Sequence, residues 1–212
     1  MLTPKQIKIL SAFLRKPYKE LTYKEIKHIS KDRSNSIIQK AIGTFLQQNL
    51  IKKRGVGNIF LYQLNLKNSV VFSYFDILIQ EKMSIAAKKT ILKIKEELSD
   101  LEFISIVIFG SYAEGTQTEK SDLDIAVFVN TIEDKKRGEL ALKAAAFKTI
   151  LNIDFYVFTK KEMLEMLRDK FENVGKQLAY KHLVIHNPII FYGILEEGID
   201  NGFKIVYSES GK

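Results

Sequence analysis

The 212-residue chain contains no cysteine, which excludes disulfides, thiolate zinc sites and cysteine nucleophiles. It also lacks any apolar run near the roughly 18–20 residues that a bilayer-crossing helix needs, so no membrane span is expected. The first residues, MLTPKQIKILSAFLRKP, have neither a continuous apolar core nor a small-residue cleavage site and are not read as a signal peptide. Internal repeats and low-complexity tracts are missing too. These absences point to the cytoplasm. Hydrophobic residues at 46% and charged residues at 27% give an ordinary globular balance, and the length suits one large or two small domains.

Acids are scarce in the first third. Residues 1–68 hold 14 Lys and Arg against 3 acids (Glu20, Glu25 and Asp32), a net +11, whereas 69–212 hold 19 bases against 22 acids, a net −3. A Lys-rich genome would bias both parts alike, so the asymmetry suggests an N-terminal module that faces nucleic acid.

Within that third, Ile7, Leu10, Phe13 and Leu14 fall at helical spacing and predict a helix over 3–16, with Thr3 as N-cap, Pro4 in the first position and Pro17 as the stop. Thr22-x-x-Glu25 has the form of a capping box and opens a second helix over 22–29. A third helix over 35–48 would bury Ile38, Ile42, Phe45 and Leu46. Strands at 50–54 and 59–64 flank Gly55-Val56-Gly57-Asn58, a hairpin with permissive turn residues. Residues 1–66 thus resemble a small winged helix-turn-helix domain. The resemblance implies DNA as partner, with the third helix in the major groove and the wing on the backbone or minor groove. Asn35, Ser36, Gln39, Lys40 and Gln47 would then be exposed on that helix and Lys52, Lys53 and Arg54 on the wing, the Lys and Arg contacting phosphates and the Asn and Gln reading base edges. A winged helix used only for protein contacts is the alternative.

Residues 67–100 read as a helical connector. No Gly or Pro interrupts 69–99, and Phe72, Phe75, Ile79, Ile91, Ile94 and Leu98 would form a buried stripe on one long or two consecutive helices. The aromatic-rich first half serves either core packing or a homodimer surface. Beyond residue 100, strands fit 103–109, 123–129, 153–158 and 183–186, and helices fit 133–149, 160–172, 174–182 and 188–195. Val206 and Tyr207 precede a polar tail expected to fray.

The chemistry lies in Ile108-Phe109-Gly110-Ser111-Tyr112-Ala113-Glu114-Gly115 and Ser121-Asp122-Leu123-Asp124-Ile125-Ala126-Val127. A buried strand runs straight into Gly110-Ser111 and a short helical turn. Glycine permits close backbone approach, and amides opening a helix point at a ligand, so the turn suits a phosphate. Asp122 and Asp124 are two apart and leave the chain on one side. Side by side they repel each other, a cost that a hard cation such as Mg²⁺ removes. Asp154 lies on another apolar strand, facing with Tyr156 away from Ile153, Phe155 and Val157, and an isolated carboxylate inside such a strand is expensive unless paired or bound to metal. Three aspartates beside a phosphate-binding turn describe a two-metal phosphoryl-transfer site.

Gly110-Ser111 followed ten residues later by Asp122-x-Asp124 is similar to the signature of the polymerase-β-type nucleotidyltransferase superfamily. With Ala113-x-Gly115 and Ser121 it most resembles the minimal nucleotidyltransferases. The resemblance is strong over 100–160 and weak over 160–200. It implies that 101–212 form an α/β (α+β) nucleotidyltransferase domain with a mixed sheet and flanking helices. It further implies that Gly110 and Ser111 hold the β- and γ-phosphates of an incoming NTP, expected to be ATP. Asp122 and Asp124 would bind two Mg²⁺ ions, and Asp154 would ligate the catalytic one and assist deprotonation of the attacking hydroxyl. Many minimal members carry Arg where Tyr112 or Glu114 stands here, leaving Lys120 or Lys181 to supply that charge.

The implied activity is Mg²⁺-dependent transfer of a nucleoside monophosphate, AMP from ATP, to a hydroxyl on a protein, an RNA end or a small molecule. Minimal nucleotidyltransferases resemble antitoxins that adenylylate a toxin, which makes a protein tyrosine a reasonable acceptor. The alternative is a nucleotide-sensing DNA-binding transcription regulator with little or no turnover. His28, His182 and His186 lack ligand spacing and read as surface or packing residues, and Lys88-Lys89 and Lys135-Lys136-Arg137 read as solvated helix faces.

Overall fold

A computed structural model describes residues 1–207. The chain divides into two compact units, Met1–Glu81 and a second that begins at Lys82. Among the described residues no helix is long and apolar enough to cross a membrane. The polar tail at 208–212 lies outside the described residues.

In the first unit Thr3 caps α1 (Pro4–Leu10) through a capping box completed by Gln6. The helix tightens into a 3₁₀ turn at Ser11–Phe13 and does not run to residue 16. Pro17 disfavours helical backbone at Lys16, so the helix could not have continued through that residue. A two-residue strand, β1 (Leu21–Thr22), was too short to leave a periodic signal. The box of Thr22 and Glu25 then opens α2 (Tyr23–Ser30). Ser34 caps α3 (Asn35–Gln47), and β2 (Ile51–Val56) and β3 (Ile59–Leu64) form an antiparallel hairpin, giving the sheet order β1-β3-β2. Ile9, Leu10, Phe13, Ile26, Ile38, Phe45 and Leu50 are fully buried between these elements. In α4 (Val70–Lys82), Phe75, Leu78 and Ile79 are buried, and the Tyr74 hydroxyl accepts from the Leu2 amide at 3.0 Å.

The segment 69–99 is two helices rather than one. The second, α5 (Ile85–Glu97), restarts where the Ser84 hydroxyl accepts from the Ala87 amide, and it belongs to the second unit.

The second unit is built on a four-stranded mixed sheet. In chain order it comprises β4 (Ser105–Ile108), α6 (Gly110–Glu114), β5 (Leu123–Val129), α7 (Ile132–Ala146), β6 (Ile153–Thr159), α8 (Lys160–Arg168), α9 (Val174–Tyr180), β7 (Leu183–His186) and α10 (Pro188–Asp200). The strand order is β6-β5-β4-β7, with β5 and β6 parallel and β4 antiparallel to both its neighbours. All of β4 and nearly all of β5 are buried because helices cover both faces. On one face Gly138 of α7 lies against Val157 of β6; on the other Phe191 of α10 meets Phe128 of β5, ring centroids 5.2 Å apart. Two helix ends differ from the sequence reading. α8 stops at Arg168 because the Lys176 ammonium donates to the carbonyls of Asp169 (2.6 Å) and Phe171 (2.9 Å), turning the chain away. α10 continues past Leu195 to Asp200, with Gly198 buried on its inner face.

Candidate active site

One end of the mixed sheet gathers the residues of interest. β4 leaves the sheet at Phe109, whose amide donates to the Asp124 carbonyl at 3.1 Å and so ties the exit to β5. Gly110 then turns the chain at φ +61°, in the left-handed region, and opens α6. A side chain at Gly110 would overlap the Asp124 carboxylate, its Cβ lying 2.9 Å from Asp124 Cγ. The aspartate therefore rests on the bare backbone of the glycine, which only glycine allows. Ser111, half-buried, is the next residue of α6.

The parallel register of β5 and β6 sets Asp124 directly beside Asp154. Asp122 lies two residues upstream of Asp124, just before β5. Asp124 is half-buried, while Asp122 and Asp154 are exposed. This corrects the expectation for Asp154: β6 is the edge strand of the sheet, so its carboxylate keeps its water. The electrostatic cost falls on Asp124 instead. Burial raises its carboxyl above the ordinary value, and the charges of Asp154 and then Asp122 raise it further. Among the described residues, none of the three carboxylates has an ion pair or a side-chain hydrogen bond.

No group of three acidic or histidine side chains converges tightly enough to hold a metal ion by itself among the described residues. The donor set is a register pair of carboxylates with a third nearby, unneutralised and all oxygen. That set fits Mg²⁺, which commonly takes one or two carboxylates and completes its shell with water and substrate phosphate oxygens.

Around this centre, the Lys181 ammonium lies 2.7 Å from the Glu114 carboxylate, so one of the two lysines expected to supply charge near α6 is there but paired. Lys120 is exposed. Phe109 and Tyr156 pack ring against ring at 6.0 Å, and Tyr156 stacks on Phe158 at 5.7 Å. Strand alternation already placed Tyr156 on the face of Asp154, but gave no reason to attach a role to it. His182 is fully buried, with Nδ1 2.7 Å from the Leu178 carbonyl and Nε2 3.2 Å from the Tyr192 hydroxyl; burial lowers the imidazole to about 4, so it is neutral packing. His28 and His186 are exposed. A groove of about 510 Å³ opens at the opposite end of β5, beside Val129 and Asn130, and has no carboxylate in its lining. Volume is no guide to the chemistry here.

In the first unit, Asn35, Ser36, Gln39, Lys40 and Gln47 are all exposed on α3, opposite buried Ile38, Ala41, Ile42 and Phe45. The Asn35 side-chain oxygen accepts from Lys27 at 2.6 Å. Of the wing cations, Lys52 is exposed, and Lys53 sits 3.5 Å above the Phe60 ring. Arg54 donates twice to Glu20, at 2.9 and 2.5 Å, and these bonds hold the Glu20 carboxyl below its ordinary value. Nothing in positions 50–54 alone signalled that partner, 34 residues away.

Residues 89–182 match the family described as Polymerase beta, Nucleotidyltransferase. The chain is similar to the protein adenylyltransferase MntA of Shewanella oneidensis, at 34% identity over 91 residues, 42% of this chain and 62% of that protein. It thus spans less than two thirds of that relative's length. A solved structure described as a crystal structure of the toxin-antitoxin with AMP-PNP shares 20% identity, covering 53% of this chain and 83% of that one at a TM-score of 0.34. The matched segment contains the Gly110 turn and all three aspartates: residues 89–182 are a polymerase-β-like nucleotidyltransferase domain.

Proposed function

We propose that the chain is a Mg²⁺-dependent nucleotidyltransferase that moves AMP from ATP onto a hydroxyl acceptor, and that its first unit is a DNA-binding winged helix-turn-helix. The observation that carries the enzymatic reading is the unneutralised register pair Asp124 and Asp154, with Asp122 two residues upstream and Asp124 resting on the Gly110 turn. Gly110 and Ser111 hold the β- and γ-phosphates through the backbone amides that open α6 and the Ser111 hydroxyl. Asp122, Asp124 and Asp154 would hold Mg²⁺, which when bound offsets charge developing on the phosphates. Asp154, exposed at the sheet edge, takes the proton of the acceptor hydroxyl on a carboxylate oxygen. The acceptor oxygen then bonds to the α-phosphorus in line, the bond from that phosphorus to the bridging oxygen breaks, and pyrophosphate leaves. The description of the S. oneidensis relative as a protein adenylyltransferase supports AMP as the group and a protein as the acceptor.

Label transfer tests this. The protein and its Asp122→Ala/Asp124→Ala variant, incubated with each α-labelled NTP, Mg²⁺ and host lysate, are resolved for labelled protein, RNA and small molecules. A protein label that needs both aspartates is expected. The ion pair of Lys181 with Glu114 favours a second reading, because it leaves that lysine less able to neutralise phosphates. Under it the domain senses nucleotide without turnover. Tight NTP binding with no label in any fraction would move the conclusion there.

For the first unit, support comes from the +11 charge of residues 1–68 and the acid-free exposed face of α3. Lys52→Ala/Lys53→Ala is expected to weaken binding to a mixed-sequence duplex and to flatten the slope of log affinity against log salt by up to about 2. Arg54→Ala should change the slope less, because Glu20 already holds the guanidinium. Gly43 lies mid-helix on the same face, with nothing within 4 Å of where its Cβ would be. Gly43→Ala should therefore raise stability by about 1 kcal/mol while lowering DNA affinity. Fluorescence anisotropy between 50 and 200 mM salt reads the binding outcomes, and a salt slope unchanged by the lysine substitutions would remove the wing.

A further inference from the structure

Tyr156 stands two residues beyond Asp154 on β6, on the same side of the strand and roughly 6–7 Å further along it. On this edge strand it is 40% exposed, on the same side as the exposed Asp154. Its register partner on β5 is Ala126, whose small side chain leaves space above the sheet. Phe109, the residue that leads into the Gly110 turn, occupies that space, its ring 6.0 Å from Tyr156 and inclined at 56°. Phe158 braces Tyr156 from further along the strand, at 5.7 Å and 8°. Beyond them Phe128 is fully buried against Phe191, so the aromatic row is closed at that end and open toward the carboxylates. The Tyr156 hydroxyl makes no hydrogen bond among the described residues, so no polar contact ties the ring down. What the position offers is a braced π-face beside Asp124, Asp154 and the Gly110 turn.

We propose that Tyr156 is the platform on which the base of the incoming nucleotide stacks, with its phosphates directed to Gly110 and Ser111. The proposal rests on the nucleotidyl-transfer reading of the same site. Stacking reads the face of a base and not its edge, so it adds affinity with modest selectivity, and the larger purines gain more than pyrimidines. Tyr156 is a positioning residue for substrate, separate from the groups that handle phosphate and proton.

The test compares ATP with inorganic tripolyphosphate, which keeps the phosphate chain and lacks the base. Both are titrated calorimetrically into the full chain with Mg²⁺, as wild type, Tyr156→Phe, Tyr156→Leu and Tyr156→Ala. Leucine keeps apolar packing against Phe109, so the comparison survives if alanine disturbs the fold. Wild type is expected to bind ATP about tenfold more tightly than tripolyphosphate. Tyr156→Leu should lose that tenfold for ATP alone, and Tyr156→Phe should retain it. An unchanged ATP affinity in Tyr156→Leu, or an equal loss for both ligands, overturns the platform while leaving the transfer site standing. Failure of wild type to bind either ligand overturns the reading of the site and the platform with it.

Discussion

Gly110→Ala is expected to destabilise the second unit by about 2–4 kcal/mol and to lower nucleotidyl transfer at least about a hundredfold. Two causes add. At φ +61° an alanine methyl crowds the backbone, at a cost of about 1–2 kcal/mol, and the same methyl would overlap the carboxylate of Asp124. Either the turn or the aspartate must move, and a displacement near 1 Å at a reacting centre costs on the order of 10² in rate. The double variant Gly110→Ala/Asp124→Ala separates these causes. Removing the carboxylate abolishes the overlap, so the double variant should be more stable than the sum of its parts by about 1–2 kcal/mol, with no recovery of activity. Denaturant midpoints measure the coupling. Simple additivity would mean that the glycine is needed for its backbone angle alone.

Asp124→Asn is expected to move stability and activity in opposite directions. Burial and two neighbouring carboxylates oppose ionisation of Asp124, so its charged form strains the metal-free protein. The sign follows from the raised value. As pH falls through it, the folded state takes up a proton that the unfolded state takes only near 3.9, so this group adds stability over that interval and nothing further below it. Glu20, Glu25 and Glu162, all held low by their partners, lose stability over a more acidic range. The difference in melting temperature between wild type and Asp124→Asn therefore isolates the aspartate. At neutral pH without divalent cation the asparagine protein should melt at the higher temperature, and the gap should close on acidification. Millimolar Mg²⁺ should raise the wild-type melt and leave the variant nearly unchanged, while transfer falls about a thousandfold in the variant. An asparagine variant that melts lower at neutral pH would mean that the carboxylate is not under electrostatic strain.

Local pattern revealed the elements and the motif. The apolar runs 103–109 and 123–129 became β4 and β5, Thr22 and Glu25 formed their capping box, and Gly110-Ser111 with Asp122-x-Asp124 fell at one end of the mixed sheet. What stayed hidden depended on partners distant in sequence. Edge or centre cannot be read from Ile153–Thr159 alone, yet strand order decides that Asp154 is solvated and Asp124 carries the strain. The pairing of Lys181 with Glu114 spans 67 residues, and that of Arg54 with Glu20 spans 34, so both cations read as free in the sequence. Alternation gave the facing of Tyr156, but its exposure follows from the place of β6 at the sheet edge. The limit in each case is the same: periodicity reports which side a residue takes, and only tertiary pairing reports what meets it there.

The decisive measurement compares ATP labelled at the α-phosphate with ATP labelled at the γ-phosphate, using the purified protein, Mg²⁺ and the acceptor fraction identified by lysate labelling. Nucleotidyl transfer at the Asp124–Asp154 end of the sheet requires α-label in the acceptor, none from γ, and one pyrophosphate released per label, all lost in Asp124→Asn. Incorporation of γ-label, or α-label that survives Asp124→Asn, would contradict it.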